Sequence, residues 1–381
     1  MLRRRHLAYR GMVSAELPRS PATANAASTR SGPVIAVIGP RTVPVDLLSV
    51  MSANDLVPVA LPPLHPSTEQ ECLGALISVL ACDAVVLVLP AEVGLDPGSS
   101  RVWRGAAEHG MPRSVLVVGL GAATADLEEL SAIVARALEE EPVLPRLPVL
   151  ADDEVPAGSM DLITLGMTTP DGPGLVEPEH LAVVQEARAM LVEAIAVLST
   201  DDVLIDQAMS GLQPSADRLA AGLAEAVASG NAVTVLPVTP DMAAIGELAR
   251  WWRDVPFVAD RLVPVDAHGD PAAAMGQLLA VVLGFDDPIT RVRVLRGGPL
   301  ATHPVSRRQE AQGDGSPAGS VLLTRVAPSP AGHHGQRSWP TWMASTDALF
   351  QPGEVVDVRL PLRTEPGEAL CVAPEPVWLV P

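Results

Sequence analysis

The sequence contains no lysine, and all 26 of its Lys and Arg residues are arginine. A site that depends on the compact charge of a lysine ammonium is therefore excluded, and arginine, which is longer and planar, replaces it poorly. Aromatic residues are also scarce at 3%, so aliphatic side chains must fill the core. The three cysteines, Cys72, Cys82 and Cys371, have neither a disulfide framework nor metal-ligand spacing. We expect reduced thiols in a cytoplasmic protein.

Positive charge is scarce overall. The formal net charge is −19, so the chain has no general attraction to free nucleic acid. The longest apolar stretch, ALISVLACDAVVLVLP, is interrupted by Asp83 and is too short to cross a bilayer, so no membrane partner is expected. Residues 1–30 are rich in arginine and lack the apolar segment of a secretory signal. We predict a disordered tail there, with a targeting segment as the alternative.

Four continuous apolar runs indicate buried parallel strands. They lie at 34–38, 84–89, 115–118 and 233–238, and helical patterns separate them. The helix before the second run has Ser67 as its predicted N-cap, and the helix after it ends near Gly110. Alternating strands and helices favour an open α/β sheet.

The pattern changes twice along the chain. Residues 141–232 interrupt the alternation with a proline-rich stretch and two helical segments, which indicates an inserted subdomain. After residue 285, short strands separated by Gly, Pro and Ser are typical of a small antiparallel β-barrel. A loop predicted to be disordered lies near 303–345. The predicted domains are therefore 31–284, containing the insertion, and 285–381.

One segment, GLDPGSSRVWRGAAEHGMPRSVLVV, resembles elongation factor G, a translational GTPase. The family pattern G-V-Q-P-Q-[ST]-x-x-V-W-R-Q-A is matched in order and spacing at Gly94, Pro97, Ser99, Val102, Trp103, Arg104 and Ala106. The stretch from 201 to 239 and the terminal GEVVDVRLPLRTEPGEALC are also similar to the family. The resemblance covers roughly residues 31–381, and the match to the family is poor over about 320–350. It implies a P-loop-NTPase-like sheet with helices on both faces, followed by a barrel.

The family's phosphate loop, G-H-x-D-A-G-K-T, corresponds here to residues 39–46. Gly39 remains, but Pro44 replaces the second glycine and has no N–H for a phosphate oxygen. Val45 replaces the lysine, and Asp46 replaces the hydroxyl that holds magnesium. At roughly 4 Å and an effective dielectric constant of about 20, the repulsion between Asp46 and a phosphate is about 4 kcal/mol per charge pair.

The base-reading and catalytic motifs are also replaced. The guanine-reading N-K-x-D corresponds to residues 118–121, so Val118 and Gly121 stand at its first and last positions. The D-T-P-G-H motif corresponds to 64–68, and the late G-S-A turn to 236–238. Gly119 and Gly121 form a G-x-G, but we interpret this as a loosened turn rather than a dinucleotide fingerprint, whose acidic residue is not evident.

The resemblance and the replaced residues together predict an elongation factor G-like pseudo-GTPase. We expect a non-hydrolysing binding or regulatory module linked to translation, with the ribosome or another protein as partner. No catalytic residue and no metal site are expected, and neither the GTP nor the magnesium of the family. Two alternatives stay open: an atypical GTP-binding protein or GTPase that uses Arg41 as its cation, and a relic without a selected role.

Overall fold

A computed structural model describes residues 32–64, 68–121, 125–151, 155–169, 172–176, 181–265, 279–286 and 289–296. Beyond these it describes only 298–299, 306–307, 349–350, 352–353, 355–358, 366, 369–371 and 378–380. The chain divides into two units, Met1–Arg30 and Ser31–Pro381. All described residues belong to the second unit. The predicted tail and most of the predicted loop at 303–345 lie outside them.

Six parallel strands form the main sheet. In sheet order they are β2 (Val57–Ala60), β1 (Val34–Ile38), β3 (Ala84–Pro90), β4 (Arg113–Val118), β10 (Val233–Pro237) and β5 (Pro142–Val143). The four apolar runs became the four central strands, because both of their faces are buried. The predicted open parallel α/β sheet is confirmed.

Eight α-helices are described. They are α1 (Val45–Ala53), α2 (Glu69–Leu80), α3 (Pro97–Glu108), α4 (Leu127–Leu138), α5 (Leu181–Leu198), α6 (Asp202–Met209), α7 (Ala216–Ala228) and α8 (Ala243–Trp252). Side chains cap several of their N-termini, as expected for Ser, Thr and Asp. The predicted cap of α2 was wrong by one residue, since Thr68 is the N-cap and forms a capping box with Glu71.

The helices cover both faces of the sheet, because alternate side chains of each strand enter two different cores. One core joins Val34, Ala36 and Ile38 of β1 to α2, α3 and α4. The other joins Ile35 and Val37 of the same strand to α1 and to α5 through α8. Trp251 and Trp252 are both buried in this second core.

A four-stranded antiparallel sheet lies between β5 and α5, where the sequence had indicated only a proline-rich stretch. Its strands are β6 (Arg146–Leu150), β7 (Pro156–Asp161), β8 (Gly166–Thr169) and β9 (Gly172–Leu175), paired in that order. Three helices, not the predicted two, follow before β10. Within the predicted insertion, 141–232, the first strand β5 belongs to the main sheet. The extent of an inserted subdomain stays a prediction.

The C-terminal strands are antiparallel. In sheet order, β15 (Ser306–Arg307), β18 (Ala369–Cys371), β12 (Leu279–Asp286), β13 (Ile289–Arg296) and β17 (Val355–Val358) form a five-stranded sheet. Two short pairs accompany it, β11 (Val263–Val265) with β19 (Trp378–Val380) and β14 (Gly298–Pro299) with β16 (Leu349–Phe350). The domain boundary placed at 285 falls inside β12 and stays a prediction. Among the described helices, none has the length and apolar character needed to cross a bilayer.

Candidate functional site

The loops that follow the parallel strands meet at the carboxyl edge of the main sheet. In open α/β sheets this edge is where ligands bind. The loop 39–44 follows β1, and α1 begins directly after it. The turn at 119–121 follows β4, and the segment 238–242 follows β10. The positions Gly39, Arg41, Pro44, Val45, Asp46, Val118 and Gly121, at which the resemblance implied a degenerate nucleotide site, therefore lie at or next to this edge.

Gly39 is needed for packing. A Cβ atom at this position would lie 2.7 Å from the backbone oxygen of Val88 in β3. Because a side chain there would collide with the neighbouring strand, glycine is required whether or not a phosphate binds. The glycine that survives from the family's phosphate loop thus has a structural role of its own.

The start of α1 carries none of the polar groups typical of a phosphate site. Its N-cap is Pro44, with φ −58° and ψ 131°, and no side chain caps the helix. Val45 is the first helical residue and is 73% exposed. The side chains of Arg41 and Asp46 are exposed on either side of it.

At the neighbouring turn the chain leaves β4 through glycines. Val118 is the last residue of the strand and is half-buried. Gly119 and Gly121 have φ values of +76° and +87°, which favour glycine. Both are exposed, so the position of the family's base-reading acid has no side chain. The predicted late turn was misplaced, because Leu236 and Pro237 lie inside β10.

One acid near this edge, Asp241, has both carboxylate oxygens occupied by the protein. Oδ1 accepts from the Thr239 hydroxyl at 2.6 Å and from the Ala243 N–H at 3.2 Å. Oδ2 accepts from the Ser159 hydroxyl at 2.5 Å. Burial raises the pKa of Asp241, but these hydrogen bonds, with a contribution from Arg146, lower it overall.

The same network continues into the interior. Arg146 Nη1 donates to the Ser159 hydroxyl at 2.8 Å, and its Nη2 contacts Glu247 Oε1 at 2.6 Å. Burial raises the pKa of Glu247, against the opposing effect of Arg146. Sequence patterns contain no sign of this network, because its members come from β6, β7, α8 and the loop after β10. It fastens the four-stranded sheet to α8.

Trp103, one of the residues that carry the family resemblance, belongs to a second buried cluster. Trp103 of α3 donates through Nε1 to Glu140 Oε1 at 3.1 Å, and Arg113 Nη2 donates to the same oxygen at 3.1 Å. The Arg113 guanidinium lies 5.7 Å from the centre of the Trp103 ring. Burial lowers the pKa of Arg113. Glu140, the middle residue of the acidic run 139–141, is therefore bound in the interior, with its side chain only 16% exposed.

The beginning of α3 packs closely on the loop before α2. A Cβ atom on Gly98 would lie 2.2 Å from the Leu64 backbone oxygen. Asp96 caps the helix by accepting from the Ser99 N–H at 2.9 Å. Leu64 is buried where the family pattern has an aspartate, while His65 lies outside the described residues. Within the described part of the chain, no three His, Cys, Asp or Glu residues are grouped as a metal site would require.

Comparisons with known proteins support this interpretation of the fold. No family model matches the chain. Elongation factor G 2 of Hahella chejuensis (strain KCTC 2396) is 30% identical over 166 residues, which are 42% of this chain and 24% of that protein. The crystal structure of ttk003000868 from Thermus thermophilus superposes with a TM-score of 0.58 at 18% identity, covering 91% of this chain and 55% of that one. The chain therefore matches about a quarter of the curated relative and about half of the solved one.

The parallel sheet, the helices on both of its faces and the loop that leads from β1 into α1 define a P-loop-NTPase-like α/β fold with additional antiparallel strands. Together with the sequence match, they relate this chain to the translational GTPases of the elongation factor G type.

Proposed function

We propose that this chain is a pseudo-GTPase of the elongation factor G type, a non-hydrolysing binding or regulatory module linked to translation. The observation that carries the proposal is the composition of the loop and helix start at 39–46. The family implies GTP and magnesium at this place, and the residues present do not fit that pair.

Three features of the loop oppose a triphosphate. Pro44 offers no N–H to a phosphate oxygen. Val45 occupies the first helical position with an exposed apolar side chain, where the family has its lysine. Asp46 adds a negative charge in the first turn of α1. Negative charge there is favourable for the helix alone, but it repels an anion bound at the same end.

Asp241, an acid near this edge, is not free to replace the missing groups. Both oxygens of Asp241 are bound by Thr239, Ser159 and the Ala243 N–H. Gly121 has no side chain to accept hydrogen bonds from guanine. Base recognition and metal binding would both need new ligands, so the alternative of an atypical GTPase requires Arg41 as its cation together with a relocated acid.

Restoring the family's residues in the loop tests whether Pro44, Val45 and Asp46 are the reason that the chain does not bind GTP. We expect the triple variant Pro44→Gly, Val45→Lys, Asp46→Thr to acquire magnesium-dependent affinity for a fluorescent GTP analogue that the wild-type chain lacks. A matched control introduces the same types of residue on α5 and α6, as Val197→Lys and Asp206→Thr, and we expect it to bind none. Magnesium-dependent binding of the analogue by the wild type, as tight as that by the triple variant, would overturn the proposal.

The link to translation has a separate test. We expect the full chain to co-sediment with ribosomes or to capture one translation protein, and to do so equally with and without GTP. Nucleotide-dependent sedimentation that is lost in Arg41→Ala would favour the GTPase alternative instead. If the chain instead captures an enzyme that has no part in translation, the binding module acts in another process.

A further inference from the structure

A buried ion pair joins the C-terminal strands to the amino edge of the main sheet, the edge opposite the candidate site. Arg293 of β13 is 1% exposed and Asp83, directly before β3, is 2% exposed. Arg293 Nη2 lies 3.0 and 3.1 Å from the two carboxylate oxygens, and Nη1 donates to the Ala81 backbone oxygen at 3.0 Å. Asp83 Oδ2 also accepts from the Val34 N–H at 2.8 Å.

Further contacts surround this pair. The Phe257 ring covers the Arg293 guanidinium at 4.1 Å. Arg261 donates to the backbone oxygen of Cys82 at 3.0 Å. Arg293 and Arg261 therefore both bind one short segment, residues 81–83, and the Phe257 ring covers the Arg293 guanidinium. Removing one member of such a buried pair leaves the other charge without a partner, which is strongly unfavourable.

The C-terminal strands also hold α2 directly. The Ser78 hydroxyl, near the end of α2, donates to the Val282 backbone oxygen of β12 at 2.9 Å, in a buried position. Earlier in the helix, a Cβ atom on Gly74 would lie 2.9 Å from the Pro366 backbone oxygen. α2 starts at the carboxyl edge, after the loop that corresponds to the D-T-P-G-H motif, and ends beside the ion pair. It is thus fixed along its length by the C-terminal segment.

We propose that these contacts clamp α2 and the strands β12 and β13 in a single arrangement that undergoes no nucleotide-dependent movement. This inference deepens the proposed function and rests on it, because a module that binds no nucleotide has no ligand to drive a switch. The clamp is the structural counterpart of that property, because its buried contacts hold α2, β12 and β13 together without a ligand.

Hydrogen exchange read by mass spectrometry on the full chain without nucleotide tests the clamp. We expect the amides of α2 and β13 to exchange as slowly as those of β3 in the wild type. In Arg293→Met, exchange in α2 should rise by about a hundredfold or more. The matched control Arg218→Met breaks the half-exposed pair with Asp201, and we expect less than about a threefold change in α2.

If Arg293→Met does not fold, Ser78→Ala provides the same test more gently, with an expected rise of about fivefold in α2 exchange. Fast exchange of α2 in the wild type beside a slow β3 would overturn the clamp, whether or not GTP binds. Adding GTP and magnesium separates the two proposals. Measurable GTP binding with α2 still protected would contradict the pseudo-GTPase and leave the clamp standing, whereas a GTP-induced change in α2 would overturn both.

Discussion

At the scale of single residues, several positions that match the family pattern have a packing role in this structure. Trp103 and Arg113 match the family pattern and meet at Glu140 in a buried cluster. Gly39 also matches, and its position against β3 explains why. Val45 and Gly121 depart from the pattern, and neither has a packing role that would have kept the original side chain.

The cluster around Glu140 yields a stability prediction. We expect Glu140→Ala to lower the free energy of unfolding by about 3 kcal/mol, because it leaves a buried guanidinium and an indole N–H without their acceptor. Urea unfolding followed by circular dichroism measures the change. The neighbouring Glu141→Ala serves as control, because its side chain is exposed and should contribute less than about 0.5 kcal/mol. Equal effects from the two variants would contradict the cluster's role.

Asp241 yields a prediction on pH dependence. Its pKa is lowered in the folded state from the ordinary value of 3.8, so its contribution is present above that value and is lost as the pH falls through the folded pKa. We expect the wild type to lose stability between about pH 4 and about pH 2 more steeply than Asp241→Asn does. Urea unfolding at a series of pH values measures this difference. Asp254→Asn, altered at an exposed position, should keep the wild-type slope.

At the scale of elements, the sequence predicted those strands and helices whose pattern is simple. The apolar runs of β1, β3, β4 and β10 are buried on both faces, so periodicity alone identifies them. The strands β6–β9 were not predicted, because they are short and contain Pro and Gly. Pairing with neighbouring strands, rather than local preference, holds them extended.

The candidate site was predictable in a different way. Its position followed from the order of strands and from the resemblance, since a parallel sheet brings its loops to one edge. The Arg146 network and the Arg293 clamp were not predictable, because each joins residues that are far apart in sequence. Spacing and periodicity contain no signal for such contacts.

Two glycines in different helices give a prediction for α3 and α8. Gly98→Ala should destabilise the protein by about 2 kcal/mol or more, because the new methyl group meets the Leu64 backbone oxygen and separates α3 from the loop before α2. Gly246→Ala, in the middle of α8, meets only the Asn54 side chain at 4.0 Å and should stabilise by about 0.5–1 kcal/mol. Thermal unfolding measures both. A stabilising Gly98→Ala would show that the close approach is not real.

At the scale of the whole molecule, the α/β fold makes close contact with the C-terminal strands, while the positions that the resemblance assigns to a nucleotide site hold Pro44, Val45 and Asp46. The contacts from α2 and residues 81–83 to β12 and β13 are buried and specific. These contacts are the structural basis on which we propose a binding role for the chain.

Isothermal titration of the purified, nucleotide-free wild-type chain with GTP and with GDP, each in the presence of magnesium, tests the central claim most directly. The account predicts no heat of binding at micromolar ligand, because Val45 supplies no cation and Asp46 no hydroxyl for magnesium at the start of α1. Magnesium-dependent binding of micromolar affinity or tighter would contradict it.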